Sequence, residues 1–175
     1  MLPGPPAIYQ TILNHPDLDT FDMSTLRLAV TGAAAIPVEM IVQMRERLGF
    51  EKIFTGYGLT ETTGIATMCR HTDDPEVIAR TSGRAIPDVE VRIVDPGGEE
   101  TPRGEPGEIV VRGYNVMVGY LDDLEKTAET IDADGWLHTG DIGVMDAAGN
   151  IDITDRVKDM FINGGFNAYP CLLYT

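Results

Sequence analysis

The chain has 175 residues, of which 43% are hydrophobic and 23% are charged. This composition is typical of a folded globular protein and excludes disordered and collagen-like classes. At about 100 to 200 residues per domain, the length accommodates one main domain and a piece of another. The 28 acidic side chains outnumber the 13 basic ones, and the net charge of −15 argues against nucleic acid and anionic lipid surfaces as partners.

Cysteine usage and the absence of targeting patterns indicate a cytoplasmic protein. Cys69 and Cys171 are too few for a disulfide framework, and the three histidines are scattered without metal-ligand spacing. The first residues lack a basic and apolar leader, and no apolar run approaches the roughly 18 residues of a membrane span. We therefore expect no membrane span and a reducing compartment.

The first half of the chain alternates helical and strand patterns. A short helix is predicted over residues 7–13 and a strand over 26–31, which ends in a run of small residues. Pro37 then suits the first position of a helix, because apolar residues recur at helical spacing up to Leu48. A second strand is predicted over 52–55. Strand, helix and strand together favour a parallel βαβ unit.

The second half has the alternation of antiparallel strands. Strands are predicted over 89–93 and 108–112, with Pro- and Gly-containing turns between them. One amphipathic helix is predicted over 124–131, and residues 142–145 and 151–154 flank a hairpin turn. We expect an α/β fold in which a βαβ piece precedes an antiparallel, barrel-like β subdomain.

Four short motifs carry the functional signal. They lie at 57–61 (YGLTE), at 107–108 with 113 and 119–120 (GE, G and GY), at 139–141 (TGD) and at 155–159 (DRVKD). In this order and spacing they resemble the adenylate-forming acyl-CoA synthetase superfamily, over residues 2–170. The resemblance implies an acid–thiol ligase that joins a carboxylate to ATP, releases pyrophosphate, and passes the acyl group of the acyl-AMP to coenzyme A. It also implies Mg²⁺, and it places the phosphate loop before Met1 and the carboxylate-polarising lysine after Pro170, so the chain is expected to be a truncated and inactive fragment.

The 57–61 motif follows a predicted strand, where backbone N–H groups at the carboxyl end of a parallel sheet can meet an anion. The resemblance implies that Tyr57 stacks on adenine, that the Thr60 hydroxyl binds the α-phosphate, and that Glu61 ligates Mg²⁺. Thr60 and Glu61 are the expected catalytic residues. Gly56 and Gly58 are the other expected nucleotide-binding residues of this segment.

Other positions complete the expected nucleotide site. Gly32, Ala33 and Ala34 end a strand with nothing larger than a methyl group, so that a base or acyl chain can approach the backbone. One carboxylate can accept both ribose hydroxyls, and the resemblance gives Asp141 that role. It gives Arg156 contacts with ribose and phosphate, and it makes Lys158 the hinge of the small C-terminal domain.

The domain prediction has four parts. Residues 1–80 form an α/β fragment with the adenine and phosphate motifs, and 81–155 a mainly antiparallel β subdomain. Residues 156–170 contain the hinge and the start of the small domain, and 171–175 read as a non-native tail that resembles translated sequencing adapter.

The runs at 113–117 and 164–170 resemble synthetases for fatty or steroid-derived acids. Two alternatives remain open. One is the adenylation domain of a peptide synthetase, which normally has aspartate at the position of Lys158. The other is an inactive nucleotide-binding module that retains the motifs by descent.

Overall fold

The computed structural model describes residues 1–32, 36–156, 161–163 and 166–168. The chain divides into two compact units. The first contains Met1–Tyr57 and Thr67–Gly83, and the second contains Gly58–Ala66 and Arg84–Thr175. The segment that follows Tyr57 therefore groups with residues far along the chain, while the four-part domain division stays a prediction.

The first unit is built around a mainly parallel sheet. The elements of this unit are β1 (Leu2–Pro3), α1 (Pro6–Leu13), a 3-10 turn (Leu18–Thr20), β2 (Leu28–Gly32), α2 (Val38–Glu46), β3 (Lys52–Tyr57), β4 (Thr67–Met68) and α3 (Pro75–Arg80). The strands of this unit lie in the order β1-β2-β3-β4, with β1, β2 and β3 parallel and β4 antiparallel to β3. Helix α2 connects β2 to β3, so the predicted βαβ unit is confirmed.

Helix α2 forms because its apolar residues recur on one face, and Ile41 and Met44 on that face are fully buried. They join a core with Tyr9, Phe50 and Ile53, in which Tyr9 and Phe50 pack edge to face with ring centroids 6.0 Å apart. The prediction that Pro37 is the first helical residue is wrong by one position. Pro37 has ψ of 140°, which is extended, and it precedes the helix as its N-cap.

The second unit contains the predicted antiparallel sheet. Its elements are a 3-10 turn (Thr60–Thr62), β5 (Arg84–Ala85), β6 (Val89–Val94), β7 (Pro106–Gly113), α4 (Leu124–Thr130), β8 (Leu137–Met145), β9 (Ile151–Arg156), β10 (Phe161–Asn163) and β11 (Phe166–Ala168). The antiparallel sheet has the strand order β6-β7-β8-β9, and a separate antiparallel pair, β10 with β11, follows it. The α/β fold class is thus confirmed.

Across the described residues, no helix combines the length and apolar character required to cross a bilayer.

Candidate functional site

Three of the predicted nucleotide-binding residues lie at one edge of the first unit's sheet. Gly32 ends β2, and it pairs directly with Gly56 of the parallel neighbour β3. Tyr57 ends β3, and 9% of it is exposed. The carboxyl ends of parallel strands are where ligands bind in open α/β sheets. The fold therefore brings Gly32, Gly56 and Tyr57 to the edge that the sequence predicted.

Close strand packing explains the glycine at position 32. A Cβ added there would lie 2.9 Å from the carbonyl oxygen of Gly56, closer than real Cβ contacts allow. Packing within the sheet accounts for this glycine, and the approach of a base or acyl chain stays a prediction. Ala33 and Ala34, predicted beside it, lie outside the described residues.

The loop after β3 forms a tight turn that presents Thr60 and Glu61. The Leu59 N–H donates to Oγ1 of the fully buried Thr62 at 2.8 Å. The same Oγ1 donates to the Leu59 carbonyl at 3.0 Å. With Thr62 turned inward, the neighbouring Thr60 is exposed and Glu61 is half-buried.

Gly58 is required by this turn, because an added Cβ would lie 2.5 Å from backbone atoms of Gly64 and Ile65. The loop folds back onto its own start, and only glycine permits that approach.

Residues 115–120 hold this turn through five hydrogen bonds, of which the longest joins the Asn115 amide to the Thr62 carbonyl at 3.4 Å. The Thr63 hydroxyl donates to the Asn115 carbonyl at 2.8 Å, and the Asn115 side-chain amide donates to the Ile65 carbonyl at 2.6 Å. The Met117 N–H donates to the Glu61 carbonyl at 2.8 Å. The Tyr120 hydroxyl donates to the Glu61 carboxylate, Oη to Oε1, at 2.8 Å.

Tyr120 also has a raised pKa. Its hydrogen bond to Glu61 is the main cause, and burial and the negative charge of Glu61 act in the same direction. Asn115 and Tyr120 were not among the residues predicted for the site. The motif at 119–120 contains Tyr120 and the run at 113–117 contains Asn115, and these two segments are the sequence signals that point to them.

The donor chemistry of Glu61 fits Mg²⁺. Among the described residues, no three His, Cys, Asp or Glu side chains gather where they could hold an ion. Mg²⁺ in nucleotide enzymes is nevertheless usually bound by one or two carboxylates together with substrate phosphates, rather than by an all-protein cage. A single half-buried carboxylate beside an exposed hydroxyl suits that mode of binding.

Asp141 lies in β8 of the second unit and is 5% exposed. Its N–H donates to the Thr139 hydroxyl at 3.1 Å, and the preceding Gly140 N–H donates to Glu108 at 3.0 Å. In the pairing of β8 with β9, Asp141 stands opposite Arg156. The fold thus brings the backbones of these two predicted ribose-binding residues side by side. The Arg156 side chain and all of Lys158 lie outside the described residues.

The Thr60–Glu61 turn, bounded by Gly58 and Gly64, follows the end of strand β3 along the chain. The sequence profile of the AMP-binding enzyme family matches residues 1–121. The chain therefore belongs to the AMP-binding enzyme family.

Its relatives are ligases and synthetases of about three times its length. It is 57% identical over 170 residues to the 3-[(3aS,4S,7aS)-7a-methyl-1,5-dioxo-octahydro-1H-inden-4-yl]propanoyl:CoA ligase of Rhodococcus jostii, covering 97% of this chain and 31% of that protein. It matches the amide bond synthetase McbA of Marinactinospora thermotolerans with a TM-score of 0.82 and 35% identity, over 95% of this chain and 33% of that one. It matches the anthranilate CoA ligase AuaEII, solved in complex with anthranoyl-AMP, with a TM-score of 0.80 and 30% identity. This match covers 98% of this chain and 32% of that one.

The chain thus spans about a third of the length of the proteins it matches.

Proposed function

We propose that this chain is the nucleotide-binding piece of an ATP-dependent acyl-CoA synthetase, an AMP-forming acid–thiol ligase. The observation that carries the proposal is the Thr60–Glu61 turn. It follows a parallel strand, it presents a hydroxyl and a carboxylate, and it falls within the part of the chain that matches the AMP-binding family. The relatives named as CoA ligases support a thiol as the final acceptor.

The site residues divide the work of binding ATP. Tyr57 stacks on adenine, and Gly56 and Gly58 belong to the same nucleotide-binding segment. The Thr60 hydroxyl donates to the α-phosphate, whose oxygens gain negative charge as the carboxylate attacks and before pyrophosphate leaves with that charge. Asp141 accepts the ribose hydroxyls. Positioning and charge neutralisation, rather than a covalent enzyme intermediate, lower the barrier.

Glu61 is the residue that would hold Mg²⁺, which supplies neutralisation of phosphate charge when it is bound. The carboxylate binds through oxygen, the ligand type that this hard cation prefers.

Four further residues are assigned by resemblance alone. Arg156 contacts ribose and phosphate, and Lys158 is the hinge about which a small C-terminal domain turns between adenylation and thioester formation. Ala33 and Ala34 border the adenine and the acyl chain beside Gly32.

The substrate is a fatty or steroid-derived carboxylate. Support comes from the Rhodococcus relative, whose name describes a propanoate on an octahydro-indene ring system. The chain's run at 113–117 points the same way, because it resembles synthetases for such acids.

The test uses the full-length enzyme from the reading frame that encloses this chain, with ATP, coenzyme A and a series of carboxylates. We expect AMP and an acyl-CoA thioester in equal amounts, detected by mass spectrometry. Thr60→Val removes a charge-assisted hydrogen bond of about 1.5–3 kcal/mol, so kcat/KM for ATP falls about 10- to 100-fold.

Other products would identify the alternatives. Adenylation of amino acids without thioester transfer to free coenzyme A would favour a peptide-synthetase domain. Amide formation from an added amine would favour a synthetase of the McbA type. ATP binding without any turnover would favour an inactive nucleotide-binding module.

A further inference from the structure

The Glu61 carboxylate is held by residues from a distant part of the chain. The Tyr120 hydroxyl donates to its Oε1 at 2.8 Å across 59 positions of sequence, and the Met117 N–H donates to its backbone carbonyl at 2.8 Å. All three residues belong to the second unit. Because both the backbone and the side chain of Glu61 are bonded, the carboxylate loses rotamer freedom.

Tyr120 is itself fixed before it reaches Glu61. Its N–H donates to the Thr127 hydroxyl at 2.9 Å, and that hydroxyl donates at 2.7 Å to the carbonyl of Asp123, the N-cap of α4. The Lys126 ammonium lies over its ring at 4.7 Å from the centroid, within cation–π distance. These contacts with the start of helix α4 fix the position of Tyr120, whose hydroxyl then lies against the Glu61 carboxylate.

The hydrogen bond engages one carboxylate oxygen and leaves the second available. Oε1 accepts from Tyr120, whereas Oε2 has no donor among the described residues. A partner that binds one atom of a metal-ligating group fixes the orientation of the group without competing for the metal. The half-buried position of Glu61 strengthens the effect, because water competes less well for Oε1 there.

We infer that Tyr120 is a positioning residue for the divalent cation that accompanies ATP. Its hydroxyl holds the Glu61 carboxylate in one orientation through Oε1 and leaves Oε2 to bind the cation. This inference rests on the proposed function, and in particular on Glu61 as the cation ligand. It gives Tyr120 an effect on cation affinity without any contact to the cation or to ATP.

The test measures Mn²⁺ affinity in the full-length enzyme with a non-hydrolysable ATP analogue, from free Mn²⁺ in electron paramagnetic resonance spectra. Tyr120→Phe removes the hydroxyl and keeps both the ring beside Lys126 and the N–H bound by Thr127. Loss of a residue that orients a metal ligand typically weakens metal binding about 10- to 100-fold, and we expect a loss of about 10-fold. Tyr114→Phe is the matched control, because Tyr114 is 74% exposed, and it should bind Mn²⁺ like the wild type.

A double-mutant cycle separates positioning from general packing. In a Glu61→Gln background, Tyr120→Phe should weaken Mn²⁺ binding less than twofold, because the ligand that Tyr120 orients is already lost. The same 10-fold loss in both backgrounds, or wild-type affinity in Tyr120→Phe, would overturn the inference. The proposed role of Glu61 is tested separately. Unchanged affinity in Glu61→Gln alone would contradict that role, and the inference about Tyr120 would fall with it.

Discussion

Asn115, which is only 4% exposed, connects the segment after β7 to the turn after β3 through its side chain. Its amide donates to the Ile65 carbonyl at 2.6 Å and to the Thr62 carbonyl at 3.4 Å. These carbonyls belong to the turn that presents Glu61. The other end of the amide, Oδ1, is buried and has no hydrogen-bond partner within the part of the chain that the structure describes, where the side chain is held by its donor end.

Asn115→Ala should destabilise the chain by about 1–3 kcal/mol, because it leaves buried carbonyl groups without their donor. Urea denaturation of the 175-residue chain measures this loss. Tyr114→Ala, at an exposed neighbouring position, should change the free energy of unfolding by no more than about 0.5 kcal/mol. Equal effects of the two substitutions would show that the Asn115 amide does not hold the turn.

Asp146 caps the turn between β8 and β9 and gives the stability a pH dependence. Burial alone would raise its pKa. Hydrogen bonds from the Asn150 side chain and from backbone N–H groups of the turn outweigh burial, so the pKa of Asp146 lies below its usual value. Because the pKa of Asp146 is lower in the folded chain than in the unfolded chain, the ionised carboxylate stabilises the fold. This stabilisation is complete at pH values above the unfolded-state pKa of about 3.9, and it is lost as the pH falls through the folded-state pKa.

Asp146→Asn should therefore flatten the decline of stability in acid. Urea denaturation of the variant and the wild type at a series of pH values from about 6 to about 3 measures the difference. The difference in the free energy of unfolding between the wild type and the variant should narrow as the pH falls below about 4, because protonation of Asp146 removes its stabilising charge in the wild type. If the free energies of unfolding of the two proteins changed in parallel across the pH series, the Asp146 carboxylate would not contribute to the pH dependence of stability.

Strand β7 organises the second unit, since it pairs with β6 on one side and with β8 on the other. Ile109 in this strand is fully buried. Ile109→Ala should cost about 2–5 kcal/mol through lost burial and the cavity it leaves. The fully exposed Val118 provides the control, because Val118→Ala should change stability by less than about 0.5 kcal/mol.

Fluorescence of Trp136, the chain's single tryptophan, reports this unfolding, because Trp136 is 8% exposed in the same unit. A cost for Ile109→Ala as small as that for Val118→Ala would show that β7 is not central to this core.

Sequence patterns predict the elements whose apolar residues follow one period. Helix α2 is confirmed because its apolar residues recur at helical spacing. Strands β2, β3, β6 and β7 are confirmed because apolar and polar residues alternate along them. Helix α3 was missed, because it has six residues in a polar stretch and buries only Ile78. Strand β8 begins at Leu137, five residues before the predicted start. Its polar residues, including His138 and Asp141, interrupt the alternation, and a register shift follows Ile142.

The same limit applies to the candidate site. The 57–61 motif could be found because its residues are contiguous. The hydrogen bond from Tyr120 to Glu61 could not be predicted, because the local sequence does not indicate a contact between residues that lie 59 positions apart. Nor does local sequence indicate that Gly58–Ala66 groups with the second unit.

At the scale of the whole molecule, the chain spans about a third of its relatives. The resemblance places a phosphate loop and a carboxylate-polarising lysine outside the 175 residues. Each stabilises charge in the transition state, and the loss of one such group typically costs about 100-fold or more in rate. We expect the 175-residue chain alone to form no acyl-AMP. Carboxylate-dependent AMP release by the purified chain would contradict this.

The most direct test of the account is isotope exchange between pyrophosphate and ATP in the full-length enzyme, because acyl-AMP formation is the step that the Thr60–Glu61 turn is proposed to support. We predict exchange that requires a carboxylate and falls about 100-fold in Glu61→Gln. Glu125→Gln, at an exposed position of α4, should leave it unchanged. Exchange without a carboxylate, or a Glu61→Gln enzyme as active as the wild type, would contradict the account.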